Sequence, residues 1–290
     1  MTARQWLQKA KDEHFAIGAF NVGNIETFKA IAQAAAAKRA PVIIESSPGE
    51  TKWMGVKNVS DLAHNFSHEY GIPVLVNLDH SETFDDCREG MEAGYGLIHF
   101  DGSKLPLEEN LQIAQKVVDL AHGMGATVEV EIDHIQGSSE VHQGSADAEV
   151  AKSTFSDPER SKKFMDESGA DILTAFFGNV HGVFTGGGEN LHIDVLQNLV
   201  AAMPEKFFSL HGGSGIPDAQ VKAAVEAGIQ KVNINTEIRQ MFRQTLEEEL
   251  RKYQGEYAMY KILPPVVEAV QKLVEHKIEV FGSANKLLSS

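Results

Sequence analysis

Short apolar runs alternate with amphipathic stretches from one end of the chain to the other. A typical run reads IPVLV at 72–76, without the polar positions of a strand that has one face in water. Alternation of such runs with stretches of helical periodicity predicts βα units around a parallel sheet. Eight strands are predicted, the number that closes a TIM barrel, at 15–20, 41–46, 73–78, 96–100, 126–132, 171–177, 206–210 and 229–234.

Helices are predicted between these strands at 25–38, 58–70, 82–93, 107–124, 157–168, 191–201, 216–227 and 236–253, and one more at 264–279. The segment 133–156 departs from the pattern, because it is polar and too long for an ordinary connection. Such a loop is usually a lid or a binding loop, and a disordered insertion is the alternative. The predicted fold is α/β: a (β/α)8 TIM barrel with an additional C-terminal helix, in a single domain over 1–290.

The chain carries 41 acidic and 26 basic side chains among 290 residues, a formal charge of −15. This charge repels nucleic acid and anionic membranes, so we expect neither as a partner. An anionic substrate must then meet a local pocket of basic side chains or backbone amides. The N-terminal stretch lacks the apolar core of a signal peptide and no run is long enough to span a bilayer, which predicts a cytoplasmic protein.

Cys87 is the only cysteine. Neither an internal disulfide nor a zinc site rich in thiolates can therefore form within one chain. Any metal must be bound by histidines and carboxylates. The acidic neighbours of Cys87, in FDDCRE at 84–89, disfavour a thiolate, and we expect an inert or buried thiol.

Three histidines follow predicted strands at the end where barrel enzymes place their active sites. His80 ends the third strand, His181 follows the sixth and His211 ends the seventh. One such histidine is most simply a polar residue at a strand end, but three imidazoles with an open position form the usual catalytic zinc arrangement. The histidines on predicted helices or loops are expected to be exposed: His14, His64, His68, His122, His192 and His276.

Acidic residues lie beside these histidines. Asp79 immediately precedes His80, and consecutive strand residues point to opposite faces unless the chain turns there. Asp79 is a candidate general acid/base near the metal, and a helix cap or a partner that orients a ligand is the alternative; local sequence leaves both open. Weaker candidates for metal ligands or proton carriers are Glu129, Glu131 and Asp101, near the ends of the fifth and fourth strands.

A glycine-rich turn, GGSG at 212–215, precedes a predicted helix. Its backbone N–H groups and the helix N-terminus can hold a phosphate, in the region where barrels often bind one. A tight glycine turn without a ligand is the alternative. Asn233, Asn235 and Thr236 end the eighth strand beside it, and their side chains can bind substrate or simply cap the helix.

Taken in order, these motifs resemble the class II, metal-dependent fructose-bisphosphate aldolases over nearly the whole chain. The motifs are AFN at 19–21, PVII at 41–44, LDH at 78–80, GNVHG at 178–182, LHGGSG at 210–215 and KVNINTE at 231–237. The resemblance implies reversible cleavage of fructose 1,6-bisphosphate to dihydroxyacetone phosphate and glyceraldehyde 3-phosphate. It implies Zn²⁺ on the three histidines, and a monovalent cation, Na⁺ or K⁺. A homodimer or dimer-based oligomer is implied as well.

The same resemblance implies roles for single residues. Asp79 moves the proton of the C4 hydroxyl, and Glu131 can visit the metal. The acid that protonates C3 comes from the loop after the fifth strand, where Glu140 is the nearest candidate. Ser47 and Arg239 match positions that hold the second phosphate, the arginine reaching across a dimer interface. The phosphate of the dihydroxyacetone phosphate half is held by Gly182, Gly213, Ser214, Asn235 and Thr236, with Asn233 near the reacting atoms.

The chain departs from the family pattern around the second phosphate. Thr185 stands where the family usually has a lysine, and 258–261 reads AMYK where Asp-Pro-Arg is usual. Loss of cationic partners weakens the case for a second phosphate, although Lys52 or Lys261 can compensate.

Other functions fit parts of the pattern. Tagatose 1,6-bisphosphate or another phosphorylated ketose is an alternative substrate, and Asn235, where tagatose enzymes tend to have alanine, favours fructose. A Schiff-base aldolase needs an inward-facing lysine on a late strand; the sixth predicted strand has none, and Lys231 lies at the wrong end of the eighth. A zinc hydrolase barrel usually shows a His-x-His pair on its first strand, which has none here. A non-catalytic phosphosugar-binding barrel needs neither Asp79 nor three histidines.

Overall fold

The computed structural model describes residues 1–187 and 190–287, and ten strands lie in these ranges. They are β1 (Ile17–Asn21), β2 (Val42–Ser46), β3 (Val74–Ser81), β4 (Leu97–Asp101), β5 (Thr127–Glu131), β6 (Gly137–His142), β7 (Ile172–Thr174), β8 (His181–Phe184), β9 (Phe207–Leu210) and β10 (Lys231–Ile234). Eight of these strands are parallel and close into a barrel in the order β1-β10-β9-β7-β5-β4-β3-β2. The other two, β6 and β8, form a separate two-stranded sheet. The predicted barrel is confirmed, because each predicted strand overlaps one barrel strand.

Helices alternate with the strands. They are α1 (Ala3–Asp12), α2 (Ile25–Lys38), α3 (Pro48–Met54), α4 (Val56–Tyr70), α5 (Phe84–Glu92), α6 (Leu107–Met124), α7 (Asp147–Val150), α8 (Pro158–Ser168), α9 (Ile193–Ala202), α10 (Asp218–Ala227), α11 (Thr236–Lys252), α12 (Met259–Ile262) and α13 (Pro264–Val280). The additional C-terminal helix is α13, which packs on α2 and α11. No helix in the described ranges combines the length and apolarity that a membrane crossing requires.

Helix α1, which the sequence pattern did not predict, closes the barrel at the N-terminal ends of its strands. Thr2 begins it with a capping box: the Thr2 hydroxyl accepts the backbone N–H of Gln5, and the Thr2 backbone N–H donates to the Gln5 side-chain oxygen. Its buried Trp6 and Leu7 join an apolar cluster with inward residues of the strands, such as Phe207. This end of the barrel is therefore apolar and closed, and polar chemistry is confined to the opposite end.

The predicted loop 133–156 contains β6 and α7 rather than a disordered insertion. Strand β6 pairs in parallel with β8, and Gly137 lies opposite His181. A Cβ atom on Gly137 would lie 2.2 Å from the carbonyl oxygen of His181, so only glycine allows this approach. The segment thus covers the carboxyl ends of the barrel strands near His181.

The carboxylate of Asp171 ties elements together at the closed end. One oxygen pairs with Arg4 of α1, and the other accepts hydrogen bonds from His122 Nε2 and the backbone N–H of Val128, both at 2.9 Å. Asp171 is buried, so its loss leaves the Val128 N–H without a partner.

We predict that Asp171→Ala lowers the free energy of unfolding by about 1–3 kcal/mol, the cost of an unsatisfied buried donor. Urea denaturation measures it. Asp166→Ala is the matched control, because Asp166 is half exposed and pairs with Lys162 on the surface of α8. Equal stability losses in the two variants would show that the Asp171 network contributes nothing specific.

Candidate active site

The structure brings together the three histidines that follow predicted strands. The ring of His80 lies 4.9 Å from that of His211 and 5.0 Å from that of His181, between centroids, and the last two rings lie 5.9 Å apart. Nε2 of His80 is 3.1 Å from Nδ1 of His211. These rings come from β3, the start of β8 and the residue after β9, all at the open end of the barrel.

A β-bulge allows Asp79 and His80 to face the same site. Strand β3 pairs with β4 in regular register up to Leu78, and the register then shifts before Ser81. His80 takes a left-handed backbone conformation, with φ of 50°. An extra residue of this kind bends a strand and re-aims its side chains. The chain therefore turns at Asp79 and His80, which is the condition under which both side chains can face one site.

Two carboxylates orient His80 and His211. The Nδ1–H of His80 donates to Asp101 Oδ2 at 2.8 Å, and the Nε2–H of His211 donates to Glu129 Oε1 at 2.9 Å. These bonds leave His80 Nε2 and His211 Nδ1 facing each other. Two nitrogen lone pairs 3.1 Å apart need a proton or a metal ion between them, and carboxylate–histidine pairs are the usual support of a metal site. The residues therefore fit a metal such as zinc.

The charges around the rings favour a cation. Burial would lower the pKa of His80, but the charge of Asp79 and the hydrogen bond to Asp101 raise it to about 10. Burial and the neighbouring His80 hold the pKa of His181 well below its ordinary value. Burial also lowers the pKa of His211 to about 3, although Glu129 opposes this. The site thus stabilises one positive charge and offers two neutral imidazoles.

Asp79 is buried and held by amides from two strands. Its Oδ2 accepts a hydrogen bond from Asn21 Nδ2 at 3.1 Å, and its Oδ1 accepts one from Asn233 Nδ2 at 3.4 Å. Burial would raise the pKa of Asp79, but the charge of the neighbouring His80 lowers it below its ordinary value. Asp79 is therefore an ionised carboxylate, with Oδ1 3.9 Å from His80 Nε2.

Sequence reasoning missed His99, which is completely buried beside this cluster. Its Nδ1 accepts the backbone N–H of His80 at 3.2 Å, and its Nε2 lies 3.7 Å from Glu131 Oε2. Among the described residues, ligand atoms of Asp79, His80, His99 and His211 lie within 4.8 Å of one another. The available signal was a polar residue two positions before Asp101 in an otherwise apolar strand.

Glu131 is also buried next to His80. Its Oε1 accepts the backbone N–H of Ile135 at 3.2 Å, and its Oε2 lies 3.9 Å from His80 Nδ1. Burial and the charge of Asp101 raise the pKa of Glu131 to about 8. Ligand atoms of His80, Asp101 and Glu131 form a second group within 4.8 Å in the described part of the chain.

Lys231 lies inside the barrel beneath these residues and is completely buried. Its Nζ is 2.9 Å from Glu129 Oε2, 3.5 Å from Glu45 Oε2 and 2.8 Å from Asn233 Oδ1. Burial would lower the pKa of Lys231, but Glu129 and Glu45 raise it. Lys231 is thus a paired ammonium at the first residue of β10, and such a group is a poor Schiff-base nucleophile. Its contact with Glu129 instead helps to hold that carboxylate against His211.

A cleft of about 160 Å³ opens beside the histidines and contains most of the predicted substrate residues. The predicted residues that line it are Ser47, Gly182, Ser214, Asn233, Asn235, Thr236 and Arg239, together with Asp79 and the three histidines. Arg239 lines the cleft of its own chain. Lys52 and Lys261 are not in this lining; Lys261 pairs with Glu256 at 2.7 Å.

The glycine-rich turn at 212–215 does not present Gly213 to the cleft, although Gly213 was expected to bind phosphate. The N–H of Gly213 donates to the Asn233 carbonyl at 3.1 Å, and Gly212 lines the cleft in its place. Gly212 has φ of 67°, and a Cβ atom there would lie 2.0 Å from the Val180 carbonyl oxygen. The Ser214 hydroxyl accepts the N–H groups of Asn235 and Glu237 at 3.3 Å, which fixes the turn against the first turn of α11.

Glu140 is not brought to the cleft. It lies on β6 with an exposed side chain, while its neighbour Ser139 lines the cleft. Successive side chains of a strand point to opposite sides, so pairing of β6 with β8 turns Glu140 outward.

Thr185 is also exposed, and its N–H donates to the His142 carbonyl at 3.0 Å. The predicted burial of Cys87 agrees with the structure, and so does the predicted exposure of six histidines: His14, His64, His68, His122, His192 and His276.

Comparison with known proteins identifies the family. The family described as fructose-bisphosphate aldolase class-II matches residues 1–286. The fructose-bisphosphate aldolases of Streptococcus pyogenes serotype M1 and Streptococcus pneumoniae serotype 4 are each 41% identical in alignments of 298 positions that cover 99% of this chain and 99% of the relative. The crystal structure of the YdjI aldolase from Escherichia coli K12 superposes with a TM-score of 0.84 at 28% identity and covers 98% of each chain. The chain therefore belongs to the class II fructose-bisphosphate aldolases, metal-dependent lyases that act on phosphorylated sugars.

Proposed function

We propose that this chain, as one domain over 1–290, cleaves fructose 1,6-bisphosphate reversibly to dihydroxyacetone phosphate and glyceraldehyde 3-phosphate, with Zn²⁺ bound by His80, His181 and His211. The observation that carries the proposal is the pair of facing nitrogens on His80 and His211, 3.1 Å apart beside the buried Asp79 carboxylate. A Na⁺ or K⁺ ion belongs to the proposal through the family resemblance alone. The family comparison favours fructose over tagatose 1,6-bisphosphate.

The protein groups supply positioning and proton transfer. When bound, Zn²⁺ provides Lewis acidity at the ketose carbonyl. Asp79 removes the proton of the C4 hydroxyl; the C3–C4 bond then breaks, its electron pair goes to C3, and C4 leaves as the aldehyde carbon. Addition of a proton at C3 then completes dihydroxyacetone phosphate. Asn21 and Asn233 hold the Asp79 carboxylate toward the cleft, which keeps its proton-accepting oxygen in place.

Two groups of donors in the cleft suit phosphate. Ser214, Asn235 and Thr236 surround the N-terminus of α11, where backbone N–H groups and the helix dipole favour an anion. Ser47 and Arg239 form the second group, to which we assign the second phosphate. Both groups lie in the cleft of one chain.

We place the enzyme in the cytoplasm as a homodimer. Several large side chains are exposed on the described surface, among them Trp53 at 81%, Tyr257 at 88% and Tyr260 at 76%. Exposed aromatic groups of this kind are typical of protein interfaces and support association between copies.

The proposal predicts that cleavage depends on metal. Fructose 1,6-bisphosphate, tagatose 1,6-bisphosphate and fructose 1-phosphate are assayed before chelation, after chelation and after zinc add-back. We expect fructose 1,6-bisphosphate to be cleaved best, with activity lost on chelation and restored by zinc. Activity that survives complete metal removal would exclude the mechanism.

Asp79→Ala should retain zinc and lose turnover, because Asp79 moves a proton and is not needed as a ligand. We expect kcat to fall by about 10²–10⁴-fold, the usual contribution of a general base. Metal content and kcat are measured on the same preparation, with Asp85→Ala on the exposed surface of α5 as control. Loss of the metal would return Asp79 to a structural role.

Glu129→Gln should weaken zinc binding about 10–100-fold, since Glu129 orients His211 and makes it a better ligand. Glu45→Gln is the matched control from the same buried network. Glu45 lies 3.5 Å from Lys231 and accepts a hydrogen bond from Asn77, whereas Glu129 is the carboxylate that bonds to His211. Competition with a chelator gives both affinities, and equal losses would refute the special role of Glu129.

A further inference from the structure

The carboxylate of Glu50 is held by donors from three parts of the fold. Its Oε2 accepts hydrogen bonds from Asn21 Nδ2 and from the backbone N–H and hydroxyl of Ser47, each at 2.9 Å. Its Oε1 accepts one from Arg239 Nη2 at 2.6 Å. Only 11% of the Glu50 side chain is exposed, and all three partners line the cleft.

This donor set is one that binds oxyanions. A backbone N–H, a hydroxyl, an amide and a guanidinium are the groups that proteins direct at phosphate and carboxylate oxygens. Here they already bind an anion that belongs to the chain. Because Arg239 carries the positive charge of this corner of the cleft, its pairing with Glu50 leaves the corner close to neutral.

Helix capping accounts for part of this arrangement. Ser47 precedes α3 and Glu50 is its third residue, so the two form a capping box. A capping box does not involve Asn21 of β1 or Arg239 of α11. The charge of Glu50 therefore acts on the cleft beyond its role in the helix.

We propose that Glu50 is a specificity-determining residue that competes with the second phosphate of the ketose for Ser47 and Arg239. The inference rests on the proposed function. A phosphate that enters this corner must displace the carboxylate from Arg239 and then lies beside a like charge. Glu50 thereby reduces the advantage that a ketose bisphosphate has over a ketose monophosphate.

The test compares KM and kcat for fructose 1,6-bisphosphate and fructose 1-phosphate in the zinc-loaded wild type and in Glu50→Gln. Glutamine keeps the capping box and removes the charge. We expect KM for the bisphosphate to fall about tenfold, the scale of one charge-assisted hydrogen bond made available. KM for the monophosphate and both kcat values should change less than about threefold, because the carbonyl oxygen of glutamine can still accept the hydrogen bond from Asn21, the residue that also holds Asp79.

Two further variants keep the test decisive. Glu109→Gln removes a charge from the same third position of a helix, α6, where the side chain is exposed, and should change neither KM. Adding Arg239→Gln to Glu50→Gln should abolish the fall in KM for the bisphosphate. A general change in stability would not produce a fall in KM that depends on Arg239. If Glu50→Gln unfolds, the two KM values of the wild type replace it: a bisphosphate KM within about threefold of the monophosphate KM supports competition from Glu50, and a bisphosphate KM more than about tenfold lower contradicts it.

An unchanged ratio of the two KM values in Glu50→Gln would overturn the inference, while cleavage by the wild type upholds the proposed function. Failure of the zinc-loaded wild type to cleave either sugar would instead refute the proposed function. The two failures are therefore distinct.

Discussion

One irregularity in one strand, β3, brings together the two side chains on which the proposed mechanism depends. Regular alternation would send Asp79 and His80 to opposite faces of β3, and the register shift after Leu78 brings both to the cleft. The left-handed conformation of His80 costs about 1–2 kcal/mol in a residue with a Cβ atom. The N–H that this bend takes out of the ladder is accepted by the buried His99 at 3.2 Å. The bend is therefore supported from the neighbouring strand, as strain at a functional site must be.

Buried polar residues inside the barrel also hold the site in place from below. Glu129 is held by Lys231 and in turn orients His211, so the imidazole ring of His211 is fixed by a charge pair that is completely buried. Removing one member of such a pair is far more costly than its presence is stabilising. Below this level the core is apolar and closed by α1, so charge, strain and hydrogen-bonding capacity are concentrated at one end of a rigid barrel.

The sequence predicted the features that follow from periodicity and from strand ends. Eight buried runs gave the barrel strands, and His80, His181 and His211 were visible because each follows such a run. His99 was hidden inside an apolar strand, where burial against Glu131 depends on the neighbouring strand. Helix α1 lacked a strand before it that would mark a βα unit. The outward direction of Glu140 follows from pairing of β6 with β8, a contact between segments 40 residues apart that no local pattern encodes. The position of Glu50 depends likewise on β1 and α11.

The central claim is that the bend in β3 separates two roles: His80 binds the metal and Asp79 moves the proton. A crystal structure of the zinc-loaded protein, with anomalous scattering recorded at the zinc edge, tests it most directly. We predict one strong peak within about 2.0–2.1 Å of one nitrogen each from His80, His181 and His211, with both Asp79 oxygens outside bonding distance. A peak bonded to Asp79, or a peak that leaves His181 or His211 unbound, would contradict this division of roles.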